Sequence, residues 1–149
     1  MAKSLIGPAA ALGLLCACVT ESRASEGPES LAGTSWRLAE LQAIGDAIGV
    51  VRPDDPSKYE MNLAADGSAS FRLDCNRATG SWSSADASRP VGDITFSPLA
   101  MTRAFCPESL DTRVAGELGA VRHFTRVGDE LIFELETGGG RQVWRRHSE

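Results

Sequence analysis

Cys75 and Cys106, together with His123 and His147, are the residues best suited to covalent or metal chemistry. A thiolate with an imidazole as its base would form a nucleophilic dyad, here Cys75 or Cys106 with His123. Zinc usually takes about four ligands, and neither a CxxC nor an HxxxH spacing occurs. In an oxidising compartment the same two cysteines, the only ones beyond the N-terminal segment, become a disulfide candidate. Two buried free thiols are the plainer alternative, and His123 at a strand start serves equally well as an edge residue. Serine hydrolysis would need a GxSxG elbow or a suitably placed S-x-x-K; the chain has neither. Asp54-Asp55 and Asp129-Glu130 are neighbours in turn-like segments. Such neighbours point apart, so they read as solvated turn acids and not as a glycosidase pair. Gly138-Gly139-Gly140 leads into a short Arg-bearing stretch. A phosphate cradle leads into a helix with Lys and Ser or Thr, so this triplet reads as a hairpin tip. No catalytic residue, metal ligand or cofactor is assigned.

Five polar residues remain: Asp74, Asn76, Arg77, Thr102 and Arg103. Asn76 suits a left-handed turn or hydrogen bonds to its own loop. A bridge from Cys75 to Cys106 would bring Arg103 close to Arg77 and Asp74. The group then reads either as a structural salt bridge between Asp74 and Arg103 or as a polar recognition patch. Trp36, Trp82 and Trp144 could form an aromatic strip. Core packing is the expectation for Trp36 and Trp82, with Trp144 half exposed between Gln142 and Arg146.

Strands must position these residues, because the dominant apolar period is two. Trp36 and Leu38 mark a first strand from about Ser35 to Leu41. Tyr59, Met61 and Leu63 mark a second, and Asp66-Gly67 a hairpin turn. Ala69, Phe71, Leu73 and Cys75 share one face of a third strand. Thr79 to Ser83 is a fourth, and Asp93 to Phe96 a fifth, with Ile94 and Phe96 inward. Strands over 123–127, about 131–135 and 141–146 follow, for about eight in all. One segment departs from this: Leu110, Val114, Leu118 and Val121 form a helical stripe within 107–121. Pro107 suits its first position and Glu108 its dipole. These elements predict an α+β fold, a curved antiparallel half-barrel covered by one helix.

The N-terminus predicts where the protein resides. Lys3 precedes an apolar run from Leu5 to Val19. At about 1.5 Å per residue that run falls short of a bilayer core of roughly 30 Å, but it suits a signal peptide. It ends in Leu15-Cys16-Ala17-Cys18, which resembles a bacterial lipobox. Cys18 follows the small Ala17 and is the expected lipidation site, whereas Cys16 follows Leu15. Residues 1–17 are then the signal peptide and residues 18–30, small and polar, a flexible tether. The full chain has 15 Lys and Arg against 20 Asp and Glu; losing Lys3 leaves 14 against 20, or −6. An acidic chain without a basic stripe excludes nucleic acid as a partner, and membrane attachment has to come from the lipid and not from charge.

Three segments carry a family resemblance: Leu31-Ala-Gly-Thr-Ser-Trp-Arg-Leu38, Asp74-Cys-Asn-Arg-Ala-Thr-Gly-Ser-Trp82 and Leu99-Ala-Met-Thr-Arg-Ala-Phe-Cys-Pro107. In this order they resemble the META/HslJ domain family of small bacterial envelope lipoproteins, over about residues 31–146. The common pattern has Gly before the first cysteine; Asp74 in its place disfavours a positive-φ turn there. The resemblance implies a compact sheet with one helix and exposure to the envelope, where some members are linked to heat stress, drug tolerance or virulence. It implies no common catalytic activity. The expectation is a non-enzymatic, monomeric lipoprotein, anchored by lipid in the outer membrane and facing the periplasm. Its domain binds a protein, a peptide or an apolar ligand. A carrier with a lipid-like ligand inside the half-barrel is the runner-up, and a Cys-dependent enzyme is third.

Overall fold

In the computed structural model the described residues are 30–43 and 49–148. The signal peptide, Cys18 and all but the last residue of the tether lie outside them. Eleven strands and one helix follow in chain order: β1 (Thr34–Ala43), β2 (Gly49–Val51), β3 (Tyr59–Leu63), β4 (Ser68–Leu73), β5 (Asn76–Ser83), β6 (Val91–Asp93), β7 (Thr95–Phe96), β8 (Ala100–Met101), α1 (Asp111–Leu118), β9 (Val121–Val127), β10 (Glu130–Leu135) and β11 (Arg141–His147). Nine strands form a curled antiparallel sheet in the order β6-β9-β10-β11-β1-β3-β4-β5-β7, with β2 alongside β1 and β8 alongside β5. The α+β half-barrel with one helix is thus present.

The expected fifth strand is two strands. β6 pairs with β9 and β7 with β5, at opposite ends of the sheet, and the buried Ile94 turns the chain between them. One short segment therefore bridges both sheet edges, which would otherwise offer unpaired backbone to other chains.

Alternation decides what fills the curl. Successive strand residues point to opposite faces, so Trp36, Leu38, Met61, Leu63, Phe71, Leu73, Leu131 and Phe133 all point inward and are buried in one cluster. Trp144 belongs to that cluster and is fully buried, not half exposed. Its Nε1 donates to Gln142 Oε1 at 3.2 Å, and the buried Gln142 in turn donates to the Val114 carbonyl at 3.3 Å. A polar residue on the inner face is tolerable because its groups are paired in this way.

The helix is shorter than its stripe. Val114 and Leu118 are fully buried in the shared cluster and Leu110 is half-buried, but Val121 opens β9. Pro107 is not in the helix, because Glu108 has φ 57°, a left-handed value that no helix continues through. Gly140 has φ 127°, and a Cβ there would stand 2.2 Å from the Gln42 carbonyl oxygen, so the hairpin tip beside β1 requires glycine.

Candidate functional site

The residues singled out in the sequence meet where β4 turns into β5. Cys75 and Cys106 are joined in a disulfide, with their Cα atoms 6.2 Å apart. The bridge fastens the segment after β8 to the turn before β5. With both sulfurs bonded to each other, neither thiol serves as a nucleophile or a metal ligand in this state. His123 lies away from them, paired through Nδ1 with Asp93 Oδ1 at 2.5 Å across β9 and β6, so the dyad is not assembled. No group of three His, Cys, Asp or Glu able to hold a metal occurs among the described residues.

Asp74 adopts φ 59°, so the positive-φ turn persists without glycine. Asp is among the few residues that tolerate this region. Its backbone N–H donates to the Lys58 carbonyl at 2.8 Å, and its carboxylate pairs with Lys58 Nζ at 3.5 Å. The expected Asp74–Arg103 salt bridge is absent: Arg103 is exposed, without an ion pair among the described residues.

Asn76 is the centre of the arrangement and is buried. Its Nδ2 donates to the Ala104 carbonyl at 3.0 Å and to Asp111 Oδ2 at 2.6 Å. Its Oδ1 accepts from Thr102 Oγ1 at 2.8 Å and from the Ala104 N–H at 2.9 Å. One side chain therefore ties β5, the 102–106 segment and the first residue of α1 together, with every lone pair and proton used. Asp111 also accepts from the Thr112 N–H at 2.6 Å, a carboxylate at the positive end of its helix. Nearby, Tyr59 Oη accepts from the Leu110 N–H at 3.0 Å.

These contacts divide the expected recognition patch. Asn76 faces inward and is consumed by structure. Thr102 is exposed, but its hydroxyl is occupied by Asn76 and by the Arg77 N–H at 2.9 Å. Arg77 and Arg103 remain exposed at the surface, with no ion pair among the described residues. Phe105, which sequence reasoning passed over, projects from the fastened segment with 90% of its surface exposed. Only its place between two structural anchors, Ala104 and Cys106, could have singled it out.

Arg77 belongs to a different assembly on the outer face. Strand register places Arg145 opposite Arg37, Arg37 opposite Glu60, Glu60 opposite Arg72 and Arg72 opposite Arg77. The next row runs His147, Ser35, Asn62, Ser70 and Thr79 across the same five strands. Between the rows lies a depression of about 310 Å³, lined by Ser35, Glu60, Asn62, Ser70, Arg72, Arg77 and His147, with Met61 and Phe71 beneath.

The family model for the META domain matches residues 29–148. Among curated proteins nothing matches the chain. Two solved structures are similar in fold. One is the NMR structure of a protein from Burkholderia xenovorans, at TM-score 0.64 and 21% identity, covering 80% of this chain and 85% of that one. The other is the crystal structure of a DUF4847 family protein from Bacteroides vulgatus, at TM-score 0.58 and 11% identity, covering 80% of this chain and 96% of that one.

Proposed function

The chain belongs to the META domain family, and on that premise we propose that it is a non-enzymatic, lipid-anchored envelope lipoprotein whose domain is a binding module. The observation that carries this reading is how the reactive and polar groups are used. The two cysteines are bonded to each other, Asn76 is saturated, and the curl is filled by Trp36, Trp144, Phe124 and Phe133. What remains for chemistry is an exposed polar surface, which suits recognition more than turnover. The filled interior favours the module over a carrier with an apolar ligand inside the half-barrel, because a carrier needs a cavity there. The disulfide suits an oxidising compartment, in keeping with a periplasm-facing domain.

Anchoring rests on Leu15-Cys16-Ala17-Cys18. Cys18 is acylated after removal of residues 1–17, and residues 18–30 hold the domain off the outer membrane. Several acyl chains are needed for stable attachment, since one alone binds marginally. Labelling cells with a radioactive fatty acid tests this. Cys18→Ser abolishes the label and the membrane-bound fraction, whereas Cys16→Ser keeps both. Undiminished label on Cys18→Ser refutes the assignment.

A further inference from the structure

Arg72 and Arg77 stand directly opposite each other on β4 and β5, on the outer face of the sheet. Side chains so placed have Cβ atoms about 5 Å apart, and like charges there are destabilising. No ion pair or side-chain hydrogen bond joins either arginine to a carboxylate among the described residues, although Asp55 feels the charge of Arg72 from a distance. Glu60 is the adjacent carboxylate, opposite Arg72, but its Oε1 is held by Arg37 Nε and Nη2 at 3.0 and 2.9 Å. Arg77 Nη1 reaches only the Asn76 carbonyl, at 3.5 Å. Two cations are thus kept face to face on paired strands near one end of the sheet, in a chain whose net charge is −5. A local conflict of this kind is expected at functional sites, and an anionic ligand between the two guanidinium groups relieves it.

We infer that Arg72 and Arg77 form an oxyanion site for a phosphorylated saccharide. Paired guanidinium groups match the geometry of phosphate oxygens with two parallel N–H bonds each. The saccharide part follows from the adjoining row. Ser35, Asn62, Ser70 and Thr79 present hydroxyl and amide groups at strand intervals of about 4.8 Å, beside the arginines. Asn62 Nδ2 donates to Ser35 Oγ at 3.0 Å, which leaves the Asn62 carbonyl oxygen and the Ser70 hydroxyl for a ligand. The depression of about 310 Å³ lies at the lower end of the range for small-ligand pockets. Its polar side chains suit sugar hydroxyls, and its concave shape does not suit a flat bilayer. The inference deepens the reading of the domain as a binding module; it does not depend on the anchor at Cys18.

Thermal shift and calorimetry on the purified protein test the site, with glucose 6-phosphate, glucose, inorganic phosphate and phosphatidylglycerol vesicles as probes. Glucose 6-phosphate raises the melting temperature of the parent protein more than the other three do. Arg72→Gln and Arg77→Gln each weaken its binding about tenfold or more, yet melt no earlier than the parent without ligand, because the opposed charges are relieved. Arg141→Gln, a change elsewhere on the sheet, keeps the parent response. An equal shift with inorganic phosphate overturns the saccharide part. A response to the vesicles alone, or one unchanged in Arg72→Gln and Arg77→Gln, overturns the site. Because fatty-acid labelling reads the anchor separately, an empty site with normal labelling counts against this inference and not against the lipoprotein.

Discussion

Asn76→Ala isolates how the 102–106 segment is held. The side chain makes four hydrogen bonds, but they do not count equally. Ala104 and Thr102 are exposed, so water replaces Asn76 at three of the four partners with little net loss. Asp111 is only 8% exposed. It loses a charge-assisted donor at 2.6 Å, and such a bond is worth about 1.5–3 kcal/mol. With a small cavity added, the expected loss is about 2–4 kcal/mol. At a urea dependence of about 2 kcal/mol per M this lowers the unfolding midpoint by about 1–2 M. Asn76→Asp sharpens the test. Its new carboxyl faces Asp111 at hydrogen-bond distance, where two carboxylates cannot both ionise. The pair then holds a proton in the folded state that the unfolded chain, with carboxyl values near 3.9, gives up. A raised folded value means stability present at low pH and lost as pH rises through it. Asn76→Asp is therefore less stable than Asn76→Ala at pH 7 and recovers toward pH 4. Equilibrium urea unfolding of the oxidised proteins at both pH values is the measurement. A loss below about 1 kcal/mol for Asn76→Ala, or no pH-dependent recovery for Asn76→Asp, refutes the view that Asn76 ties the segment through Asp111.

Leu118→Ala removes a fully buried helix side chain and costs about 2–5 kcal/mol in the same unfolding assay. Cys75→Ser and Cys106→Ser each cost roughly 3–4 kcal/mol, since the bridge closes a loop with a sequence separation of 31; the double variant costs about the same as either, because one bond is shared. Thiol titration of the unreduced, denatured protein finds no free thiol at Cys75 or Cys106. Glu40 titrates below its usual 4.5, held there by the hydrogen bond from Gln42 and then by that from Arg52. Its contribution to stability is present above the unfolded value and lost as pH falls through the folded one. Following its carboxyl carbon by NMR shows this, and Gln42→Leu moves the midpoint up.

Local alternation was enough to read the strands with strict apolar spacing, such as Tyr59–Leu63 and Ser68–Leu73, because their inner faces meet one continuous core. It failed where partners come from far along the chain. Trp144 sits beside polar Gln142, and nothing local shows that a helix carbonyl and the indole itself would satisfy that glutamine. Val121 keeps the helical spacing of Leu118, yet it begins β9 once Gly119 ends the helix. The patch around Cys75 was legible as a group of residues but not as a surface. Asn76 and Arg77 are neighbours on a strand and so point to opposite faces, one into structure and one to solvent. The row that Arg77 joins draws on β11, β1, β3 and β4, so only the strand order brings it together.

That order also sets when the domain can be complete. Among the described residues β1 and β11 are the first and last strands, and they lie side by side in the middle of the sheet. A chain still emerging from a ribosome or threading through a channel lacks β11, so β1 and β10 each have an open side and the curl cannot close. Trp144, on that last strand, is also missing from the core. Completion waits for β11, and pairing of such distant segments is slow. The same topology that makes the finished domain continuous thus keeps the unfinished chain loose, the state in which a polypeptide can be passed across a membrane.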